Sequence, residues 1–254
     1  MSEILQIIMP MMDKGARFAE WGYTYPKPLV EIGGRPMIEV VIENLRPASP
    51  CRFLFVCRRE QLAQFYLGDV LRLIAPNCEV VPCEGDTAGA LCSALLAIDH
   101  VEPEQELLVA NSDQYIVAGM EEFYTACRTS RFDGCILTFR STHPRWSFVR
   151  KNDDGHVIEV AEKRPISDEA TVGLYYFRRA KDFLAGAEAV LLKGLRTKEQ
   201  FYVSSIYNEL ILAGKTIGCV RLPDRAVYKL GTPEEVTEFQ KDPPLALRRL
   251  TPGA

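Results

Sequence analysis

Apolar residues along this chain follow two alternating patterns, short continuous runs and longer stretches with helical spacing. In the first half, the runs predict buried strands at residues 5–9, 52–57, 79–82 and 106–110. Apolar positions three and four residues apart predict helices at residues 36–45, 60–74, 88–98 and 120–129. Because strands and helices alternate, the pattern favours an α/β fold with a doubly wound, mostly parallel sheet.

The second half of the chain is less regular, which predicts a mixed sheet rather than a wholly parallel one. Its strands are expected at residues 134–139, 147–150, 157–160, 172–177 and 217–222. Its helices are expected at residues 180–191, 198–213 and 233–240. No low-complexity linker divides the chain, so we predict a single domain over residues 1–242. Residues 243–254, which end in Pro-Gly-Ala, are expected to form an irregular tail.

Composition narrows the class of protein without identifying it. With 254 residues, 47% of them hydrophobic, the chain can bury a full core. The net charge of -4 does not indicate nucleic acid or an anionic membrane as a partner. No apolar run approaches the ~18 residues of a membrane span, and the eight cysteines lack metal-binding spacing. The expected location is the cytoplasm, where the cysteines would stay reduced. The sequence is compatible with either a homo-oligomer or a monomer.

A polar loop after the first predicted strand carries the first candidate chemistry. Gly15 would let the backbone approach an anion closely, while Arg17 presents a planar guanidinium to phosphate oxygens. Pro26 and Pro28 restrict the backbone around Lys27, which would aim a second cation at the same anion. The loop is therefore a candidate triphosphate site. The alternative interpretation is a surface loop with scattered charges.

Further polar residues follow later predicted strands. Asp113 stands just beyond the strand at residues 106–110, where open α/β sheets gather their ligands. A carboxylate there could hold Mg²⁺, which prefers oxygen ligands and is commonly shared with substrate phosphates. The alternative is a turn or helix-cap aspartate. Glu162 and Lys163 lie between two predicted strands, although such a pair carries little weight alone. Trp146 could stack on a ligand or serve in packing.

The order of these features along the chain resembles one known superfamily. The matching segments are PKPL at residues 26–29, Gly34-Arg35-Pro36, TAGA at residues 87–90, NSDQ with Asp113, Glu162-Lys163, Gly173 with Tyr175, and GTPEE at residues 231–235. Together they resemble the sugar-1-phosphate nucleotidyltransferase (pyrophosphorylase) superfamily over almost the whole chain. Within it, the ANSDQY, ILTF and VAEK segments are most similar to a subgroup associated with capsule and surface-polysaccharide loci. The resemblance implies a Rossmann-like nucleotidyltransferase fold of the GT-A type.

The resemblance also implies roles for individual residues. The catalytic residues would be Arg17, Lys27 and Asp113, and Asp113 would also coordinate Mg²⁺ as the cofactor. The residues that bind the nucleoside triphosphate would be Met11, Met12, Asp13, Gly15, Thr87, Gly89 and Ala90. Of these, Thr87, Gly89 and Ala90 would lie beside the base or sugar of the nucleotide. The residues that bind the phosphorylated acceptor would be Glu162, Lys163, Gly173 and Tyr202. Of these, Lys163 would bind its phosphate and Glu162 would accept a hydrogen bond from its hydroxyl or amine. The implied reaction transfers a nucleoside monophosphate to a sugar 1-phosphate or similar molecule and releases pyrophosphate, in nucleotide-sugar or surface-polysaccharide biosynthesis.

Two positions depart from the pattern of the superfamily and keep other functions open. Met12-Asp13 stand where Ala-Gly is usual, so a negative charge enters the triphosphate site. Lys229 stands where many members carry a metal-binding aspartate. Either one metal ligand is missing, or a residue elsewhere such as Asp224 or Asp13 supplies it. One alternative is a catalytically weakened, nucleotide-binding regulatory homologue. Another is a glycosyltransferase that uses a nucleotide sugar, although the NSD segment offers only one aspartate of a DxD metal motif.

Overall fold

The computed structural model describes residues 4–244 and residue 247. The elements of the first half are β1 Leu5–Met11, α1 Ala16–Glu20, β2 Glu31–Ile32, β3 Arg35–Pro36, α2 Met37–Leu45, β4 Cys51–Arg58, α3 Arg59–Phe65, α4 Leu67–Ile74, β5 Glu79–Cys83, α5 Ala90–Leu95, β6 Leu107–Ala110, β7 Gln114–Ile116 and α6 Met120–Thr129. Those of the second half are β8 Gly134–Arg140, β9 Ser147–Lys151, β10 Val157–Glu162, β11 Glu169–Phe177, α7 Ala180–Leu192, α8 Ile206–Leu212, β12 Ile217–Arg221, β13 Val227–Lys229 and α9 Pro233–Lys241. Short 3₁₀ helices cover Lys27–Leu29, Ile98–His100 and Val203–Ser205.

The central sheet runs in the order β10-β9-β11-β6-β1-β4-β5. Outside this order, β8 pairs with β11 and β12 pairs with β8. Strands β6, β1, β4 and β5 are parallel to one another, as β12 is to β8. Strand β11 runs antiparallel to β6, β8 and β9. The predicted doubly wound, mixed sheet is therefore confirmed. Because β1 and β6 are parallel neighbours, the loops that follow them meet at one edge of the sheet.

Both faces of β1 are buried, which explains why its sequence is a continuous apolar run. Ile7 and Met9 pack in the cluster that contains α2, α6 and α9, whereas Ile8 packs on the opposite face with α5, α7 and α8. Gln6 is the polar exception in this strand. Its side-chain oxygen accepts a hydrogen bond from Glu102 N at 2.7 Å, and its amide donates to Glu102 O at 3.1 Å. The buried amide group therefore keeps its hydrogen bonds.

Three predicted helices differ from the observed ones. The helix predicted at residues 60–74 is divided in two at Tyr66, whose φ of 53° lies in the left-handed region. The helix predicted at residues 88–98 is confined to α5. The helix predicted at residues 198–213 begins only at Ile206. The residues before it form a loop and the 3₁₀ helix Val203–Ser205, because the N–H of Phe201 donates to the carbonyl of Ala88 at 2.8 Å.

Shorter elements also depart from the prediction. The polar loop predicted after the first strand, at residues 13–18, becomes helical at Ala16. Strands β7 and β13, which pair with each other, are too short to give a periodic signal. Most of the tail predicted as irregular, residues 245–246 and 248–254, lies outside the described residues. In the part of the chain that the structure describes, no helix is long and apolar enough to cross a membrane.

Candidate active site

Two carboxylates converge on one buried lysine beyond the carboxyl ends of neighbouring strands. Asp13 follows β1 and Asp113 follows β6, and these two strands pair directly. Lys27 begins a 3₁₀ turn and reaches between them. Its Nζ lies 2.6 Å from Asp13 Oδ2 and 3.1 Å from Asp113 Oδ2. The structure therefore brings three of the predicted site residues together at the sheet edge where α/β folds place their ligands.

The charges of this group are mutually stabilised. The side chain of Lys27 is only 6% exposed, so the carboxylates replace water around its ammonium group. Burial would lower the pKa of Lys27, but Asp113 and Asp13 raise it above its ordinary value. Burial would raise the pKa of both aspartates, yet Lys27 lowers them, together with Lys229 in the case of Asp113. All three groups are therefore charged near neutral pH, which leaves one net negative charge.

The predicted nucleotide loop is shaped by Asp13 itself. Its Oδ1 accepts a hydrogen bond from Gly15 N at 2.9 Å, which closes a tight turn. Gly15 adopts a φ of 69°, a conformation that favours glycine. Lys14 points away from Lys27, because its Nζ pairs with the exposed carboxylate of Asp86 at 2.8 Å. Asp13 therefore sets the path of the loop as well as adding charge to it.

The two methionines that precede Asp13 have packing contacts. Met11 is the last residue of β1 and is buried in the core. Met12 is half-buried and packs against the cluster on the opposite face of the sheet. Its carbonyl accepts a hydrogen bond from Arg58 at 3.3 Å. Both residues therefore anchor the start of the loop to the core.

A cavity of about 420 Å³ opens beside the lysine and its two carboxylates. The predicted residues that line it are Asp13, Gly15, Arg17 and Asp113. Its opposite wall is the start of α9, where Glu235 Oε2 accepts a hydrogen bond from Gly231 N at 2.9 Å. Arg17 is exposed at this cavity. The basic loop and the paired carboxylates therefore face the same space.

The segment predicted to contact the base or sugar of the nucleotide is packed against another loop. Gly89 has a φ of 116°, and an added Cβ would lie 2.4 Å from the carbonyl oxygen of Phe201, so a larger residue does not fit. Thr87 Oγ1 lies 2.6 Å from Ser93 Oγ within the same segment. Ala90 lines a second cavity. The close approach at Gly89 therefore fixes the position of one wall of that cavity.

The second cavity, of about 240 Å³, lies beside β11. The predicted acceptor residues that line it are Glu162, Gly173 and Tyr202. Glu162 Oε2 accepts hydrogen bonds from Ser204 Oγ at 3.0 Å and from Ser147 Oγ. Burial and the charge of Glu162 raise the pKa of the wall residue Tyr175 to about 12, so its hydroxyl keeps its proton. Hydroxyl groups around one carboxylate suit a ligand with several polar groups.

A close contact determines the residue at position 173. Gly173 lies in a bulge of β11 with a φ of 95°, and its carbonyl accepts a hydrogen bond from Asn111 N at 3.1 Å. An added Cβ would lie 2.1 Å from Asn111 Nδ2. Because Asn111 also lines the second cavity, this contact links the strand to the shape of that cavity.

We expect Gly173→Ala to lower the free energy of unfolding by about 2–4 kcal/mol, the sum of backbone strain and overpacking. The matched control is Gly155→Ala, since Gly155 has a φ of 81° but no atom within 4 Å of an added Cβ. The control should lose only the strain of about 1 kcal/mol. Urea unfolding of both variants measures the difference. Equal losses would show that the contact with Asn111 does not constrain this position.

Lys163 is held by the wall of the second cavity. Its Nζ lies 2.5 Å from Tyr202 OH and 4.7 Å from the centre of the Tyr202 ring. Its backbone N–H donates to the carbonyl of Trp146 at 2.9 Å. The ammonium group that the resemblance assigns to the acceptor phosphate is therefore engaged by an aromatic side chain.

Three further residues join the two cavities, and the sequence had suggested a contact with a ligand only for Trp146. Arg145, Trp146 and Lys229 line both of them. The indole of Trp146 makes cation–π contacts with two side chains. Arg145 Cζ lies 4.6 Å and Lys229 Nζ 4.9 Å from the ring centre. An arginine beside a tryptophan in a loop between strands is a signal that could have indicated Arg145. No local pattern indicates Lys229, because it ends a strand of only three residues.

The residues that could hold a divalent cation here are Asp13 and Asp113. No group of three or more histidine, cysteine, aspartate or glutamate side chains suited to a metal occurs among the described residues. Two carboxylates in one cavity nevertheless suit Mg²⁺, which keeps several waters and takes its remaining ligands from substrate phosphates. Asp224, the other candidate for the missing ligand, is exposed and follows β12 in a turn. The donor set therefore fits Mg²⁺ with Asp13 beside Asp113.

Comparison with known proteins identifies the family. A ligand site at the carboxyl edge of a doubly wound sheet is typical of nucleotide-binding α/β proteins. The sequence model of the MobA-like NTP transferase domain matches residues 13–189, and the chain belongs to this family of nucleotidyltransferases. The match includes Arg17, Lys27, Asp113 and Glu162 but ends before Lys229.

Individual relatives are similar over much of the chain. UTP–glucose-1-phosphate uridylyltransferase AglF of Haloferax volcanii is 24% identical over 245 residues, covering 93% of this chain and 96% of AglF. Bifunctional protein GlmU of Methanocaldococcus jannaschii is 24% identical over 168 residues, covering 65% of this chain but only 38% of GlmU. The crystal structure of a nucleoside-diphosphate-sugar pyrophosphorylase from Vibrio cholerae has a TM-score of 0.78 at 25% identity, covering 93% of this chain and 100% of that one. The expected nucleotidyltransferase fold is confirmed.

Proposed function

We propose that this protein transfers a nucleoside monophosphate from a nucleoside triphosphate to a phosphorylated small molecule, such as a sugar 1-phosphate, and releases pyrophosphate. The reaction requires Mg²⁺ and takes place in the cytoplasm. Its product supplies nucleotide sugar for the synthesis of surface polysaccharide. The observation that best supports the transfer is the pair of adjoining cavities, one with the basic loop and the paired carboxylates and the other with Glu162. The eight free thiols accord with a reducing compartment.

The first cavity supplies the charges that a triphosphate requires. Arg17 binds phosphate oxygens from the exposed side, and Lys27 holds Asp13 and Asp113 in place between the loop and β6. The two carboxylates would hold Mg²⁺, which supplies charge neutralisation and alignment of the phosphates when bound. An oxygen of the acceptor phosphate attacks the α-phosphorus in line, and the bond to pyrophosphate breaks. No covalent enzyme intermediate is required.

The second cavity orients the acceptor. Glu162 accepts a hydrogen bond from a hydroxyl or amine of the acceptor, while Ser147 and Ser204 hold its carboxylate in a fixed orientation. Such fixed geometry converts a bimolecular encounter into an oriented reaction, which contributes a large part of catalysis by position alone. The acceptor is therefore selected by its polar groups as well as by its phosphate.

One observation favours the regulatory alternative. Asp13 places a second carboxylate against Lys27, so a single buried ammonium already faces two anions before a triphosphate arrives. Without a divalent cation, this net negative charge opposes the triphosphate. A weakened homologue would bind the nucleotide and release no pyrophosphate.

Pyrophosphate release tests the proposal over a matrix of ATP, CTP, GTP, UTP and dTTP against several phosphorylated acceptors. We expect release with at least one pair in the presence of Mg²⁺ and none with EDTA, because the paired carboxylates need a cation to admit the triphosphate. Calorimetry with each triphosphate and Mg²⁺ measures binding separately. Binding without release from any pair would support the regulatory function. Absence of binding to any triphosphate would contradict both functions.

A further inference from the structure

We propose that the phosphate group of the acceptor binds at the junction of the two cavities, where Arg145 and Lys229 both contact the ring of Trp146. This inference rests on the proposed transferase function and assigns its acceptor site more closely. It gives a role to two cations for which the motifs of the chain provide none. It also places the phosphate away from Lys163.

The position of the junction is the first support. Arg145, Trp146 and Lys229 line both cavities, the first of which contains Asp113 and the second Glu162. An acceptor phosphate that attacks the α-phosphorus must extend from one cavity into the other, with the reacting atoms within about 3.5 Å. The phosphate of a bound acceptor therefore has to lie where the two cavities meet.

The second support is that other nearby cations are already occupied. Lys27 contacts two carboxylates, and Lys14 pairs with Asp86. Lys163 donates to the hydroxyl of Tyr202. A phosphate would have to displace a carboxylate to reach Lys27 or Lys14. Lys163 has only a neutral partner, but its side chain lines neither cavity.

Arg145 and Lys229 have weaker partners. The carboxylate oxygen of Glu235 is 3.4 Å from Arg145 Nη1, which is longer than a typical charge-assisted hydrogen bond. Lys229 Nζ donates to the neutral amide oxygen of Gln114 at 3.2 Å. A phosphate could therefore gain charge-assisted hydrogen bonds from both side chains without breaking a close ion pair.

The ring of Trp146 contacts both cations. Both charged groups lie within 5 Å of the centre of its ring, a favourable cation–π distance. Burial lowers the pKa of Lys229, and the charges of Lys27 and Arg145 act in the same direction against those of Asp113 and Glu235. An anion bound between Lys229 and Arg145 would offset their repulsion. The geometry is thus prepared for an anion before the acceptor binds.

Calorimetric titration of the full chain with inorganic phosphate, at constant ionic strength, tests the site. We expect Arg145→Gln and Lys229→Gln each to weaken phosphate binding by about tenfold or more, because each removes a charge-assisted hydrogen bond. The matched control is Arg150→Gln, since the side chains of Arg150 and Arg145 are both 55% exposed and Arg150 pairs with Glu159. The control should bind phosphate within about twofold of the wild type, a difference of ~0.4 kcal/mol.

Two further variants locate the anion. A tenfold loss in Arg17→Gln, with Arg145→Gln unchanged, would place phosphate in the first cavity and overturn the proposal. A tenfold loss of phosphate binding in Lys163→Gln, with Arg145→Gln unchanged, would place the phosphate at Lys163 and also overturn the proposal. No measurable binding by the wild type would also overturn it. If Lys229→Gln does not fold, Arg145→Gln and the charge-preserving Arg145→Lys carry the test, and the lysine variant should recover part of the binding.

Phosphate binding and turnover are separate readouts. If the wild type releases no pyrophosphate but Arg145→Gln weakens phosphate binding, the junction site is supported and the proposed function is contradicted. If the wild type releases pyrophosphate but phosphate binding is unchanged in Arg145→Gln and Lys229→Gln, the proposed function is supported and the junction site is contradicted. The failure of one conclusion is therefore distinguishable from the failure of the other.

Discussion

Asp113→Asn is expected to lower the rate of pyrophosphate release by at least about two orders of magnitude. The substitution keeps the shape of the side chain but removes the charge that lies 3.1 Å from Lys27 Nζ and faces the first cavity. An amide oxygen is a poorer ligand for Mg²⁺ than a carboxylate, and the net negative charge that attracts the cation disappears. The measurement is turnover with the substrate pair identified in the matrix, together with the affinity for triphosphate at several Mg²⁺ concentrations.

The matched control for this variant is Asp224→Asn. Asp224 is exposed and lies outside the lining of both cavities, so its variant should retain turnover within about twofold, or ~0.4 kcal/mol. Unchanged turnover in Asp113→Asn would remove this carboxylate from the mechanism. A loss in Asp224→Asn that matched the loss in Asp113→Asn would point instead to a general effect of charge.

Lys27→Met is expected to lower the free energy of unfolding by about 3 kcal/mol at neutral pH, because it leaves two carboxylates beside an apolar side chain. The expected loss is at the low end for a broken buried pair, since the side chain of Asp13 is 54% exposed and can turn to water. Asp113 is 24% exposed and carries most of the cost. Urea unfolding measures the loss. Lys14→Met is the control, because the exposed pair with Asp86 should contribute no more than about 1 kcal/mol.

The deficit of Lys27→Met should depend on pH. In the wild type the pKa of Asp13 and of Asp113 is lowered, so their contribution to stability is present above pH ~4 and is lost as the pH falls through their folded pKa values. In the variant Asp113 keeps the nearby charge of Lys229 but loses that of Lys27, so its pKa is higher than in the wild type and it takes up a proton more readily. The difference between the two proteins should therefore narrow as the pH falls below about 4. A deficit that is constant with pH would show that lost packing, rather than lost charge, is its cause.

The sequence by itself determined the strands and helices whose apolar positions recur with the period of the element. Strand β1 and helix α2 were predicted within two residues of their observed ends, because each apolar run or period reports the faces that it buries. The same logic located Lys27 and Asp113. A polar residue directly after a buried strand lies at the edge of the sheet, and flanking prolines fix the direction of the lysine. Local order along the chain was sufficient for both.

Only the tertiary structure decided which distant segments meet. Lys27 and Asp113 are 86 residues apart in sequence, and their contact depends on the pairing of β1 with β6. The helix predicted at residues 198–213 is shortened by the hydrogen bond from Phe201 to the segment before α5, which no local propensity contains. Lys229 joins Arg145 at the second cavity because β13 pairs with β7 at the same sheet edge. Local periodicity specifies which face of an element is buried, whereas the partner of that face follows only when the whole chain packs.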